Sequence, residues 1–178
     1  MRFRRLGGGE LRLSDAVTQA MRVHVQRSRS SSEAGGILLG RLLLEHDDVV
    51  VDEVTVPGAQ DRGSRCSFFR AQEPAQKVVN DAWARSEGSI NYLGEWHTHP
   101  EDDPQPSAHD RQDWSRLVTS QRYEQDGLFF VIVGRQIIRA WELPRSQYLA
   151  GAVQLLEVED QLPRLPLGPG ARGKSSDR

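Results

Sequence analysis

Three side chains between positions 97 and 110 have the types and the spacing to hold a divalent metal: His97, His99 and Asp110, in the run GEWHTHPEDDPQPSAHD. On an extended strand side chains alternate, so His97 and His99 face the same way and their imidazoles converge. Pro100 confines His99 to extended backbone, which holds that geometry at the second histidine. Ser107 opens a helix whose inward stripe reads Asp110, Trp114, Leu117, Val118. The Asp110 carboxylate therefore turns toward the core, where a charge needs a partner. Two imidazoles and one carboxylate form a three-ligand zinc set with a fourth position open to water, the pattern of catalytic rather than structural zinc. A plainer reading competes. Serine followed three residues later by aspartate is also a capping box, which only satisfies the free amides of a helix start. A histidine pair on a strand is likewise often incidental. The conjunction favours the metal, because a strand end and a helix start meet across one short loop.

The elements that must position these residues follow from the hydrophobic pattern. LRL at 11–13 reads as a short strand, and Ser14 as the N-cap of a helix carrying Val17, Ala20, Met21 and His24 and ending near Ser28. AGGILLGRLLLEHDDVVVDEVTVP reads as a hairpin around a polar EHDD turn. A polar segment and the short apolar CSFF come next. Ala75, Val78, Val79, Ala82 and Trp83 then repeat at helical spacing and give the clearest amphipathic helix. INYLGEWHTH reads as a strand, residues 107 to about 123 as a helix, and LFFVIVG and QIIRAWEL as two further strands; GAVQLLEVED is a last short element of either kind. Hairpins mixed with helices, without regular βα alternation, predict an α/β protein of the α+β type, a central sheet with helices packed against it. Residues 1–162 read as one domain and residues 163–178, PRLPLGPGARGKSSDR, as a tail without fixed structure.

Composition narrows the functional classes. A chain of 178 residues suits one core. With 23 basic and 25 acidic side chains the net charge is -2, so no field gathers nucleic acid or anionic lipid. LFFVIV falls far short of the roughly 20 apolar residues that span a bilayer, and MRFRR is followed by no apolar h-region, so neither a membrane span nor a secretory signal is expected. The single cysteine, Cys66, excludes an internal disulfide and fits a reducing cytoplasm. No paired base accompanies it, and it reads as structural. His24 reads as a core histidine and His46 as a solvated turn residue. His109 points elsewhere on its helix, and Glu101, Asp102 and Asp103 read as solvated rather than ligating.

Together these residues resemble the JAMM or MPN-type metallopeptidases (JAB domains). That signature is a distant glutamate, then HxH, seven residues, serine, two residues and aspartate. His97-Thr98-His99, the spacers 100–106, Ser107 and Asp110 match it in full, and Glu33 in EAGGILLG matches the glutamate before a glycine-containing apolar strand. The resemblance covers about residues 10–145. It implies a curved mixed sheet between helices and one catalytic Zn2+ held by His97, His99 and Asp110. Glu33 is then the base that deprotonates water and later protonates the leaving amine, and Ser107 the donor to the oxyanion. Glu95, on the face of His97 and His99, is a rival base that the family pattern disfavours.

Within that family, YLGEWHTHPEDDPQPSAHD and EAGGILLG look like the bacterial JAB peptidases of CBASS anti-phage operons and related ubiquitin-like conjugation cassettes. The resemblance implies a cytoplasmic isopeptidase that reverses conjugation made by E1/E2-like enzymes. Its substrate would be the extended C-terminal tail of a ubiquitin-like protein or a conjugated CD-NTase, which could add as a strand beside a sheet edge. Neither nucleic acid nor membrane is an expected partner. Two alternatives are a peptidase that trims a sulfur-carrier protein to its C-terminal diglycine and a non-catalytic MPN scaffold; the intact ligand set argues against the second.

Overall fold

The chain opens with two short antiparallel strands, β1 (Arg2–Arg4) and β2 (Glu10–Leu13). Ser14 then caps α1 (Asp15–Arg22), its Oγ accepting from the Val17 N–H at 3.2 Å, as the sequence predicts. The helix is shorter than expected. It stops at Arg22 rather than near Ser28, so His24 lies beyond it, half-buried with its ring tilted against Trp96 at 5.9 Å.

The expected hairpin forms from β3 (Gly35–Leu43) and β4 (Asp48–Val54), with Asp47 at positive φ in the turn. A separate two-stranded ribbon follows, β5 (Arg62–Ser64) and β6 (Ser67–Phe69), where the sequence showed only a polar segment and the short apolar CSFF. Then come α2 (Gln72–Arg85), β7 (Asn91–Thr98), α3 (Ala108–Ser120), β8 (Gly127–Val133) and β9 (Ile138–Pro144). GAVQLLEVED resolves into two strands of two residues each, β10 (Val153–Gln154) and β11 (Leu156–Glu157). This computed structural model describes residues 1–43, 45–120, 123 and 125–158; the expected domain end at 162 and tail at 163–178 lie outside the described residues.

Nine strands form one mixed sheet in the order β10-β9-β8-β7-β3-β4-β2-β1-β11, parallel only at β7/β8 and β2/β4. β10 and β11 stand at opposite ends of that order but are separated in sequence only by the buried Leu155, so the sheet curls until its ends meet. An ion pair from Arg5 to Glu142 at 2.9 Å clasps the same seam.

The inner face packs Phe3, Leu11, Met21, Trp96 and Phe129 into the main core beneath α1. On the outer face α3 lays Trp114 and Val118 against β8 and β9, and α2 sets Ala82 over Ile37 and Leu39. The α2 stripe is narrower than its sequence pattern, since Val78 and Trp83 are exposed. Among the described residues no helix is long and apolar enough to cross a membrane.

One irregularity aims the site. Between β3 and β7 the register shifts so that Leu38 faces Gly94 and Leu39 faces Tyr92, leaving Leu93 as an extra residue. Leu93 and Trp96, an odd number of positions apart, therefore share the inner core, while Tyr92, Glu95 and His97 share the outer face. A bulge re-phases a strand in this way. Only glycine fits position 94: φ is 145° and a Cβ there would stand 1.8 Å from the Phe129 carbonyl oxygen.

Candidate active site

The end of β7, Glu33 two residues before β3 and the first turn of α3 meet on the outer face. His97 is fixed by pairing on both sides, opposite Gly35 of β3 and Ile132 of β8. The backbone of His99 continues that ladder through its N–H to the Val133 carbonyl at 3.1 Å. Asp110 arrives by way of Trp114 one turn later in α3, whose ring stacks on Phe130 at 4.5 Å. The PEDDPQP loop that sets the helix start is tied to the β8–β9 turn. Asp102 and Asp103 pair with Arg135 and Arg139 at 2.7 Å, so both acids are exposed and engaged by arginines.

These anchors bring all five predicted site residues into one cluster. His97 Nε2 and His99 Nε2 are 3.1 Å apart, and each lies 3.4 Å from an Asp110 oxygen. Donors at zinc bonding distance from a tetrahedral centre stand about 3.3 Å from one another, and these separations lie close to that, His97 reaching Asp110 Oδ1 and His99 reaching Oδ2. Glu33 stands beside it with its carboxylate 3.9 Å from His97 Nε2. Glu33, His97 and His99 also form a compact, buried donor set, so two triads share the histidine pair.

Charge separates the two carboxylates. For Asp110, burial alone would raise the pKa, but the hydrogen bond from His99, the His97 ring and the Ser107 amide outweigh it and hold the group well below the usual carboxylate range. It is an anion ready to ligate. Burial pushes Glu33 from 4.5 up to about 7, with His99 opposing and Asp110 reinforcing the rise. That carboxylate is suited to exchange a proton near neutral pH. Burial lowers His97 to about 4, so its ring stays neutral and offers a lone pair. His99 is raised, because the hydrogen bond and charge of Asp110, with Glu33 and Glu101, overcome its burial.

The capping box and the ligand set coexist. The Ser107 N–H donates to Asp110 Oδ2 at 2.6 Å and the Asp110 N–H donates to Ser107 Oγ at 3.2 Å. Accepting that bond leaves the serine hydroxyl hydrogen available as a donor. The rival Glu95 is ion-paired to Arg70 and accepts from the Tyr92 hydroxyl at 3.4 Å, so its charge is engaged beside the site. His109 is exposed and pairs with Asp113 at 3.1 Å.

The structure adds groups that the sequence reading passed over. Glu101, expected to be solvated, brings Oε2 to 3.4 Å from His99 Nδ1 and can orient that ring. Cys66, expected to be structural, is exposed and lines the same groove as Glu33 and His97. A larger cavity, about 640 Å³, lies elsewhere: Trp83, Asn91, Tyr123 and Arg145 line it at the opposite end of β7, and no predicted site residue lines it.

Comparison with known proteins places the chain in a family. The family model described as prokaryotic homologs of the JAB domain matches residues 14–144. A protein of Pseudomonas aeruginosa (strain BWHPSA011 / Pa011) named CD-NTase/cGAS isopeptidase is 40% identical over 136 residues, 76% of this chain and 84% of that one. Proteins of the same name from Vibrio cholerae and Escherichia coli are 42% and 35% identical, covering 58% and 68% of this chain and 63% and 74% of their own. The solution structure of a protein from Desulfitobacterium hafniense has a TM-score of 0.53 at 22% identity and covers 84% of this chain and 94% of that one, a likeness of fold. With residues 14–144, well over half of its length, matched by the family model, the chain belongs to the prokaryotic JAB-domain family.

Proposed function

We propose that this chain is a zinc-dependent isopeptidase of a CBASS anti-phage system, which releases a CD-NTase from the amine to which an E1/E2-like enzyme has joined its C-terminus. The observation that carries the reading is the triangle of His97, His99 and Asp110 at zinc-ligand spacing, with a proton-exchanging Glu33 beside it. The isopeptidase names of the relatives supply the bond and substrate class.

His97, His99 and Asp110 would hold the metal. When bound, zinc supplies Lewis acidity that makes hydroxide accessible near neutral pH. Asp110 brings one negative charge and His97 a neutral lone pair, a donor set suited to a borderline-soft cation. Glu33, already balanced near pH 7, takes the proton from the attacking water and carries it to the departing lysine amine. Ser107, at the mouth of the site, donates its hydroxyl hydrogen to the oxyanion as the carbonyl becomes tetrahedral. Arg70 and Glu95 neutralise each other on the groove wall, so the proton-transfer role falls to Glu33.

The test uses purified protein and a CD-NTase linked through its C-terminal carboxyl to a lysine side chain. The wild-type chain should release intact CD-NTase, lose activity with a chelator and regain it with zinc, while Glu33→Gln binds metal and does not cleave. Cleavage that survives both chelation and Glu33→Gln would refute the proposal.

A further inference from the structure

Behind the metal-facing side of β7 lies a buried polar cluster to which the reaction assigns no task. Gln26, between α1 and β3, is 1% exposed, and Thr98, between the two histidines, is 0% exposed. Gln26 Nε2 donates to the carbonyls of Ser31 at 3.2 Å and Arg65 at 2.8 Å. Its Oε1 accepts from the Thr98 hydroxyl at 3.2 Å. Thr98 Oγ1 in turn accepts from the Ala34 N–H at 3.0 Å, and the Thr98 N–H donates to the Ala34 carbonyl at 2.8 Å. The Glu33 N–H donates to the Ser64 carbonyl at 2.6 Å.

One glutamine thus ties together three pieces of chain that no single element joins: the loop carrying Glu33, the β5–β6 ribbon and the end of β7. Burying an amide is unfavourable unless its groups are paired, and here both the Nε2 and Oε1 ends are bonded. An apolar side chain of similar size could fill the space but could not hold two carbonyls and a hydroxyl. The histidines do not need this tie, because His97 is laddered to strands on both sides and the His99 N–H is bonded to Val133. Glu33 does need it. It precedes β3 on a segment without helix or strand, held by its bond to Ser64 and by Ala34 against Thr98.

We propose that Gln26 and Thr98 are positioning residues that fix the Glu33 carboxylate over the metal position from the opposite face of the sheet. This rests on Glu33 being the base, as proposed above. A base displaced by about 1 Å loses on the order of a hundredfold in rate, and removing outer hydrogen-bond partners of a metal site typically costs 10–100-fold.

The experiment compares the full chain with Gln26→Met, Thr98→Val and Thr98→Ser. It measures zinc affinity, kcat and KM on the CD-NTase conjugate, and hydrogen exchange at the Glu33 and Ala34 amides. Gln26→Met and Thr98→Val should lower kcat by about 10–100-fold with KM and zinc affinity within about threefold, and speed Ala34 exchange by about tenfold or more. Thr98→Ser, which keeps the hydroxyl, should restore kcat and protection to near wild type. Where Gln26→Met fails to fold, the Thr98 pair carries the test alone. Unchanged kcat and exchange in folded, zinc-loaded Thr98→Val would overturn the proposal, as would zinc loss in proportion to kcat. A wild-type chain that cleaves nothing would count against the isopeptidase reading instead, and amide exchange would still decide whether Gln26 and Thr98 hold the Glu33 segment.

Discussion

Glu33→Gln should stabilise the metal-free protein at neutral and alkaline pH while removing its activity. The Glu33 side chain is 6% exposed and its pKa rises from 4.5 to about 7 on folding. Below pH 4.5 the group is protonated both folded and unfolded, and its contribution is at its most favourable. Between 4.5 and about 7 the unfolded chain ionises first, so stability falls as pH rises; above 7 both states are ionised and the loss is complete. The gap between the two values corresponds to about 3 kcal/mol. Glutamine cannot ionise, so it escapes this loss. For a domain of this size that is a gain of about 6–12 °C in Tm at pH 8. Thermal unfolding in excess chelator, run from pH 4.5 to 8.5 on both proteins, reads it directly. The difference should be small at pH 4.5, grow up to about pH 7 and then level off. A difference independent of pH, or a wild-type chain more stable than the variant at pH 8, would refute the idea that burial rather than solvent sets the ionisation of Glu33.

Three further outcomes follow from the same geometry. Asp110→Ala should weaken zinc binding by well over about a hundredfold, whereas Ser107→Ala should stay within the 10–100-fold typical of an outer partner, both measured by competition with a zinc chelator. Equal losses would contradict the separate tasks of ligand and donor. Glu101→Gln should lower zinc affinity by about tenfold through His99 Nδ1, with kcat of the metal-saturated enzyme changed little. Gly94→Ala should destabilise the fold by more than about 3 kcal/mol in denaturant unfolding, since the new methyl would meet backbone rather than a side chain that can move.

Local features of the site were legible because they depend on periods of two and 3.6. The spacing of His97 and His99 on a strand and of Ser107, Asp110 and Trp114 on a helix start needs no tertiary knowledge. Glu33 was legible only by resemblance, because nothing nearby in sequence shows that the start of β3 will lie against His97. The Leu93–Gly94 bulge left no periodic signal; in the sequence it is only a glycine within an apolar strand. Gln26 was invisible for a related reason, since a lone glutamine after a helix is usually solvated and its three partners lie 5, 39 and 72 residues away. β1, β5, β10 and β11 have two or three residues each and are too short to show alternation. The end of α1 and the exposure of Trp83 were misjudged because an apolar repeat marks a face without fixing where the helix stops or how much of that face is covered.

The seam closed by Leu155 bears on how the protein behaves when crowded. Unpaired strand edges are where sheets recruit further strands and grow into fibrils. Here the terminal strands β10 and β11 have two residues each, and the chain runs from one to the other through a single buried leucine. An incoming segment finds about two residues of ladder at either end, too little to hold a strand of ordinary length. A substrate tail is therefore not expected to extend the main sheet at these ends, and neither is another copy of the chain. The ends of the main sheet thus offer little ladder on which a further strand could grow for as long as Leu155 holds the seam shut.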